Sequence, residues 1–90
     1  VSIQYDRAAL RERVDLVGII ERDLGPMTPD GGGRYKACCP FHEERTPSFK
    51  IYPDGHYNCF GCLAHGDIIS YLIDYRKMSY PAAVRYANEQ

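Results

Sequence analysis

A small α+β domain, with an antiparallel sheet at its centre and short helices at both ends, is what this sequence predicts, on three observations. Two pairs of ligand-type side chains, Cys39/His42 and Cys59/Cys62, each enclose two residues and stand sixteen residues apart. Short segments of alternating polarity lie beside and between the pairs, as strands require. Apolar residues at helical spacing occupy the chain on either side.

The ligand pairs carry most of the argument. Three thiolates and one imidazole close a tetrahedral shell around zinc. The two-residue gap in each pair lets a tight knuckle aim both ligands at one ion, and the stretch between pairs is long enough for a hairpin that folds the second knuckle onto the first. Paired ligands at this spacing are a zinc signature. Four protein ligands leave no position for water, so one structural Zn2+ is expected at Cys39, His42, Cys59 and Cys62. His56 and His65 are alternative ligands, but neither forms a two-residue-gap pair with a cysteine. Cys38 adjoins a ligand, and strand alternation turns it away from the metal. Two disulfides in a secreted protein are the other reading of four cysteines. The knuckle spacing and the lack of a recognisable signal segment favour reduced thiolates and a cytoplasmic setting. A ninety-residue chain has little core, and a metal is a usual staple at that size.

The elements follow in order. Asp6 caps a helix over residues 6–13, and Asp15 caps a second over 16–24, whose Leu16, Val17, Ile19, Ile20 and Leu24 share one face. Gly25 and Pro26 end it, and residues 25–33, GPMTPDGGG, read as a loop. Strands are expected over 34–38, 48–52 and 56–59, with Pro53-Asp54-Gly55 as the turn between the last two. A helix over 67–76 places Ile68, Ile69, Leu72 and Ile73 on one side, and Tyr71 and Tyr75 share a helical spacing that suits the core. Ser79 and Pro81 open a last helix carrying Ala83, Val84 and Ala87. The expectation is one domain over 1–90: helical over 1–25, a zinc ribbon over 34–62, and helical over 66–90.

Alternation sorts the strands into two faces. Tyr35, Ala37, Phe49, Ile51 and Tyr57 form an apolar face for the helices, while Arg34, Lys36, Lys50, Tyr52, His56 and Asn58 form the other. The net charge is −1, but residues 31–50 carry Arg34, Lys36, Arg45 and Lys50 against Glu43 and Glu44, a local excess of +2. Cations for phosphates, an aromatic for stacking and polar groups for base edges suit single-stranded nucleic acid. An ordinary solvated sheet face fits the same residues.

Other functions find little support. No apolar run approaches a membrane span. There is no glycine-rich phosphate loop ending in Lys-Ser or Lys-Thr, and no acidic cluster suited to two-metal phosphoryl transfer. Glu43 and Glu44 flank a knuckle without an open metal site beside them.

The motif string resembles the N-terminal zinc-binding domain of bacterial and phage DNA primases. CPFH at 39–42, TPSF at 46–49, CFGC at 59–62, AHGD at 64–67, SYPAAV at 79–84 and DLVGIIERDLG at 15–25 carry the resemblance over most of the chain. It implies a zinc ribbon ligated by Cys39, His42, Cys59 and Cys62. It also implies a domain that engages single-stranded template DNA, helps select the initiation site, and cooperates in cis or in trans with a separate RNA polymerase domain. A replicative helicase is a further implied partner. The matching basic positions are Arg34, Lys36, Arg45 and Lys50; with Tyr52, His56 and Asn58 they make up the expected DNA contacts. On this resemblance the chain alone is non-catalytic but part of a nucleotidyltransferase. The alternatives are a standalone phage or plasmid DNA-binding accessory and a helicase or polymerase docking module. Three departures stand out: Leu63 where the family often has glycine after the last cysteine, Asn58 where histidine is common, and a 25–33 loop without basic residues.

Overall fold

The computed structural model describes residues 14–42 and 47–89. The helix expected over 6–13 lies outside these residues, as do Glu43, Glu44 and Arg45. The described chain runs α1 (Leu16–Leu24), β1 (Thr28–Pro29), β2 (Tyr35–Ala37), β3 (Phe49–Ile51), β4 (Tyr57–Cys59), β5 (His65–Gly66), α2 (Ile68–Asp74) and α3 (Tyr80–Asn88). The five strands form one antiparallel sheet in sequential order. This is the α+β zinc-ribbon architecture that the sequence predicts.

Each helix begins at a side-chain cap, which satisfies backbone donors that have no partner inside the helix. Asp15 accepts from Gly18 N at 3.1 Å. Asp67 accepts from Ile69 N at 3.1 Å and Ser70 N at 3.2 Å. Ser79 accepts from Ala82 N at 3.3 Å, with Pro81 in the first turn where its missing N–H costs nothing.

Three features differ from the sequence reading. The 25–33 loop contains β1, whose Thr28 and Pro29 pair with Lys36 and Tyr35. Pro29 is tolerated because this strand is the sheet edge. β5 follows the second knuckle, which turns the chain back so that Cys59 N donates to Ala64 O at 2.7 Å. α2 stops at Asp74 rather than residue 76: Lys77 takes a φ of +60°, and Arg76 is drawn toward α1.

The core lies between the apolar sheet face and the helices. Phe49, Ile51 and Tyr57 meet Ile19 and Ile20 of α1, Ile69, Tyr71 and Leu72 of α2, and Val84 of α3 in one buried cluster. Complete burial of such aliphatic or aromatic side chains stabilises the fold by about 1.5–3 kcal/mol each. Tyr57 and Tyr71 meet edge to face with centroids 6.4 Å apart, so α2 packs directly on the sheet. Asp23 of α1 joins the helices. It accepts from the Tyr71 hydroxyl at 2.6 Å, from Arg76 Nε at 3.0 Å and from Arg76 Nη2 at 3.2 Å. Burial opposes its charge, yet the Arg76 and Tyr71 hydrogen bonds hold its carboxyl below the usual carboxylate value.

Candidate metal centre and polar sheet face

Cys39 and His42 occupy the turn after β2, Cys59 ends β4, and Cys62 lies in the turn that follows. One ligand atom from each lies within 4.8 Å of all the others. Cys39 Sγ and Cys62 Sγ are 3.8 Å apart, and Cys59 Sγ is 4.0 Å from His42 Nδ1. Zn–S bonds of about 2.3 Å in a regular tetrahedron put neighbouring sulfurs about 3.8 Å apart. The cluster therefore fits one structural zinc ion, which would cross-link the two knuckles and retain no open coordination position.

The two knuckles share a backbone device. Phe41 N donates to Cys39 Sγ at 3.3 Å, and Gly61 N donates to Cys59 Sγ at 3.4 Å. In each case the residue two after the first ligand directs its N–H at the sulfur, which favours thiolate. Gly61 also has no room for a side chain. A Cβ there would stand 2.9 Å from His42 Nε2 and 3.0 Å from Ser48 Oγ, so the second knuckle closes against the His42 ring only with glycine.

Cys39 and Cys59 are buried, His42 is half-buried and Cys62 is exposed. Burial, reinforced by the neighbouring sulfurs of Cys59 and Cys62, pushes the metal-free Cys39 thiol up to about 12. Burial acts on Cys59 in the same direction, but the Cys62 and Gly61 backbone N–H groups bring its thiol below the ordinary value. A coordinated cation deprotonates such thiols outright. Among the described residues this is the one cluster of three or more His, Cys, Asp or Glu side chains with ligand spacing. His56, His65 and Cys38 are not part of it; Cys38 is exposed, and His65 Nδ1 lies 3.0 Å from Leu63 O.

The centre reaches the core through Phe41. Its ring stacks on Tyr57 at 5.9 Å between centroids and lies 6.2 Å from Phe49, 6.4 Å from Tyr71 and 6.2 Å from Tyr75.

On the opposite sheet face, the register places Thr28, Lys36, Lys50, Asn58 and His65 as successive cross-strand partners. Alternation in the sequence puts Lys36, Lys50 and Asn58 on this face. It does not reach Thr28 and His65, because β1 and β5 carry no strand periodicity. Tyr52 and His56 stack at 4.4 Å between centroids with an interplanar angle of 5°, and Asp54 Oδ1 meets His56 Nδ1. Together with Asn58 and His65 they line a groove of about 510 Å3. Arg34 is exposed and turns back on its own loop, donating from Nε to Gly31 O at 3.2 Å.

Two residues that sequence reasoning passed over also stand at this face. Asp30 Oδ2 lies 2.9 Å from Lys50 Nζ, and Asp30 Oδ1 lies 3.8 Å from Lys36 Nζ. The hydrogen bond from Lys50 is the chief cause that holds the Asp30 carboxyl below its usual value. Phe60 is 57% exposed, and Lys50 Nζ sits 5.8 Å from its ring centroid. Its signal in the sequence is an aromatic directly after the first ligand of a knuckle, the position that Pro40 holds in the other knuckle.

Comparison with known proteins gives a consistent result. The family model described as CHC2 zinc finger matches residues 3–90. The DNA primase of Chlamydia pneumoniae is 45% identical over 76 residues, covering 83% of this chain and 12% of that protein. The DNA primase of Myxococcus xanthus is 47% identical over 75 residues, covering 82% and 12%. That of Borreliella burgdorferi is 38% identical over 84 residues, covering 92% and 16%. The chain thus spans a minor part of the length of these relatives. The crystal structure of the Aquifex aeolicus primase, comprising zinc-binding and RNA polymerase domains, superposes with a TM-score of 0.77 and 33% identity, over 96% of this chain and 21% of that one.

Proposed function

The chain belongs to the CHC2 zinc finger family, the zinc-binding domain of DNA primases, and from that premise we propose that its polar sheet face binds single-stranded template DNA for primer initiation. The supporting observation is the register, which makes a continuous row of Thr28, Lys36, Lys50, Asn58 and His65 across all five strands. The lysines offer charge to phosphates. Asn58 and His65 offer hydrogen-bonding groups to base edges, and the stacked Tyr52 and His56 rings border the same face. Cys39 and His42 before β3 and Cys59 and Cys62 at the end of β4 would hold the zinc ion, which would supply a cross-link between both ends of the β3–β4 hairpin and so fix the row.

Among the described residues no catalytic constellation accompanies this face, and the reading assigns polymerisation to a separate RNA polymerase domain acting in cis or in trans, as the Aquifex aeolicus primase structure comprises both domains. Template recognition by 1–90 as one domain, with a replicative helicase as a further partner, completes the reading. Fluorescence anisotropy with labelled single-stranded DNA tests it. Lys36→Ala and Lys50→Ala, each confirmed to retain zinc, weaken binding and lower the slope of log affinity against log salt, by at most about 0.7 for each phosphate that a lysine no longer neutralises. Equal affinities and slopes for wild type and both variants would remove the sheet face from consideration.

A further inference from the structure

The two lysines of the row are not open to solvent on all sides. Asp30 is the residue between β1 and a turn in which Gly31, Gly32 and Gly33 all take positive φ values, of 80°, 59° and 78°. Asp30 N donates to Arg34 O at 2.8 Å, and Arg34 N donates to Gly31 O at 3.0 Å, which closes the turn. Three successive left-handed residues are conformations that glycine adopts without steric cost. The turn holds the Asp30 carboxylate between Lys36 and Lys50, bearing two anionic oxygens where a phosphodiester would meet the same two ammonium groups.

Phe60 completes the arrangement. The knuckles have equivalent positions: Pro40 and Phe60 follow the first ligand, and Phe41 and Gly61 come next. The later position faces inward, since Phe41 enters the core and Gly61 closes on His42. Phe60 occupies the outer position, packs into no core, and remains mostly exposed beside Lys50. Packing accounts for Phe41 but supplies no reason for an aromatic at position 60. A base stacked there would have its phosphate within reach of Lys50.

Building on the template-binding reading above, we propose that Lys36, Lys50 and Phe60 form a subsite for one nucleotide of single-stranded DNA, and that Asp30 fills its phosphate seat until template displaces it. The free domain is then partly charge-compensated at the subsite, one carboxylate standing against two ammonium groups, and binding exchanges one anion for another.

The test measures affinity for an oligothymidylate and for an abasic oligomer of equal length, across a salt series, with zinc-loaded protein. Asp30→Asn keeps the side-chain shape and removes the competitor. It should tighten oligothymidylate binding about fivefold and steepen the salt slope by about 0.7, because counterions released from the lysines replace the internal exchange. Asp74→Asn, with the same change in net charge, should have a clearly smaller effect. Phe60→Ala should weaken oligothymidylate binding about tenfold with the salt slope unchanged, and should erase most of the preference over the abasic oligomer. If Lys50→Ala weakens binding while Asp30→Asn matches Asp74→Asn, or Phe60→Ala keeps the preference, the subsite is overturned and template binding by the face stands. If none of these variants differs from wild type, both fail together.

Discussion

Truncating Phe41 tests whether the metal centre and the core are one cooperative unit. Phe41→Ala leaves all four ligands in place, and the backbone N–H that meets Cys39 Sγ at 3.3 Å is retained. What disappears is a ring held among Phe49, Tyr57, Tyr71 and Tyr75, with centroids 5.9 to 6.4 Å away. A fully buried Phe→Ala change costs about 3–5 kcal/mol; Phe41 is half-buried, which brings the cost to about 2 kcal/mol. Because a structural zinc site forms only as the fold forms, binding and folding free energies are shared. A loss of about 2 kcal/mol therefore emerges as zinc affinity weakened about 30-fold, with no ligand altered. Competition against a chromophoric chelator measures the affinity, and circular dichroism of the chelator-treated wild type shows whether the hairpins survive without metal. The expected pair of results is a site weakened about 30-fold and a largely unfolded apo hairpin region. A variant with lowered melting temperature but unchanged zinc affinity, alongside an intact apo spectrum, would refute the coupling.

Two further perturbations bear on the scaffold. Asp23→Ala strands the hydroxyl of the buried Tyr71 and leaves Arg76 with Tyr86 but without its carboxylate partner, and a buried unsatisfied group alone costs about 1–3 kcal/mol, so the zinc-loaded domain should lose about 10 °C in melting temperature. In a Tyr71→Phe background the same substitution should cost markedly less, and full additivity in that cycle would show that the hydrogen bond carries none of the effect. Leu63 sits at φ +67° with its side chain 73% exposed, so Leu63→Gly relieves about 1–2 kcal/mol of left-handed strain without losing packing. Glycine returns part of that through the unfolded chain, leaving a gain of about 0.5–1 kcal/mol; a lower melting temperature for Leu63→Gly would contradict the strain argument.

Legibility in the sequence followed the strength of the local physics. The ligand pairs were readable because metal geometry demands a fixed spacing, and α1, α2 and α3 because Asp15, Asp67 and Ser79 cap runs with helical periodicity. The polar row was readable through β2, β3 and β4, where alternation extends over three residues. It was not readable in β1 and β5, two-residue strands that a turn and a knuckle place beside longer neighbours. The cost of the Leu63 departure emerges only in the structure: the residue after the last ligand takes a left-handed backbone, the conformation for which glycine is suited. Asp30 was hidden for a related reason. In the chain it belongs to a loop of ordinary turn residues, and only pairing of β1 with β2 brings it to Lys36 and Lys50.

That proximity changes how the charge of the domain should be weighed. The local excess of +2 over residues 31–50 ends at Asp30, which lies just outside the window and sits on two of its four cations. A face compensated in this way gains little from counterion release, so on the proposed reading the isolated domain binds template weakly and with a shallow salt dependence. Weak binding suffices when the face is tethered, because a linked module meets the same strand at an effective concentration that can reach millimolar. The Aquifex aeolicus primase structure comprises zinc-binding and RNA polymerase domains, and the proposal takes such a link for this chain as well. On the proposed reading the compensation has a use: an uncompensated lysine pair would hold any single strand, whereas a seat already filled by Asp30 would yield only where stacking on Phe60 and hydrogen bonds along the Asn58–His65 row add to the phosphate. Selectivity between a base-bearing strand and a bare polyanion is thereby placed in the neutral contacts, which salt screens least.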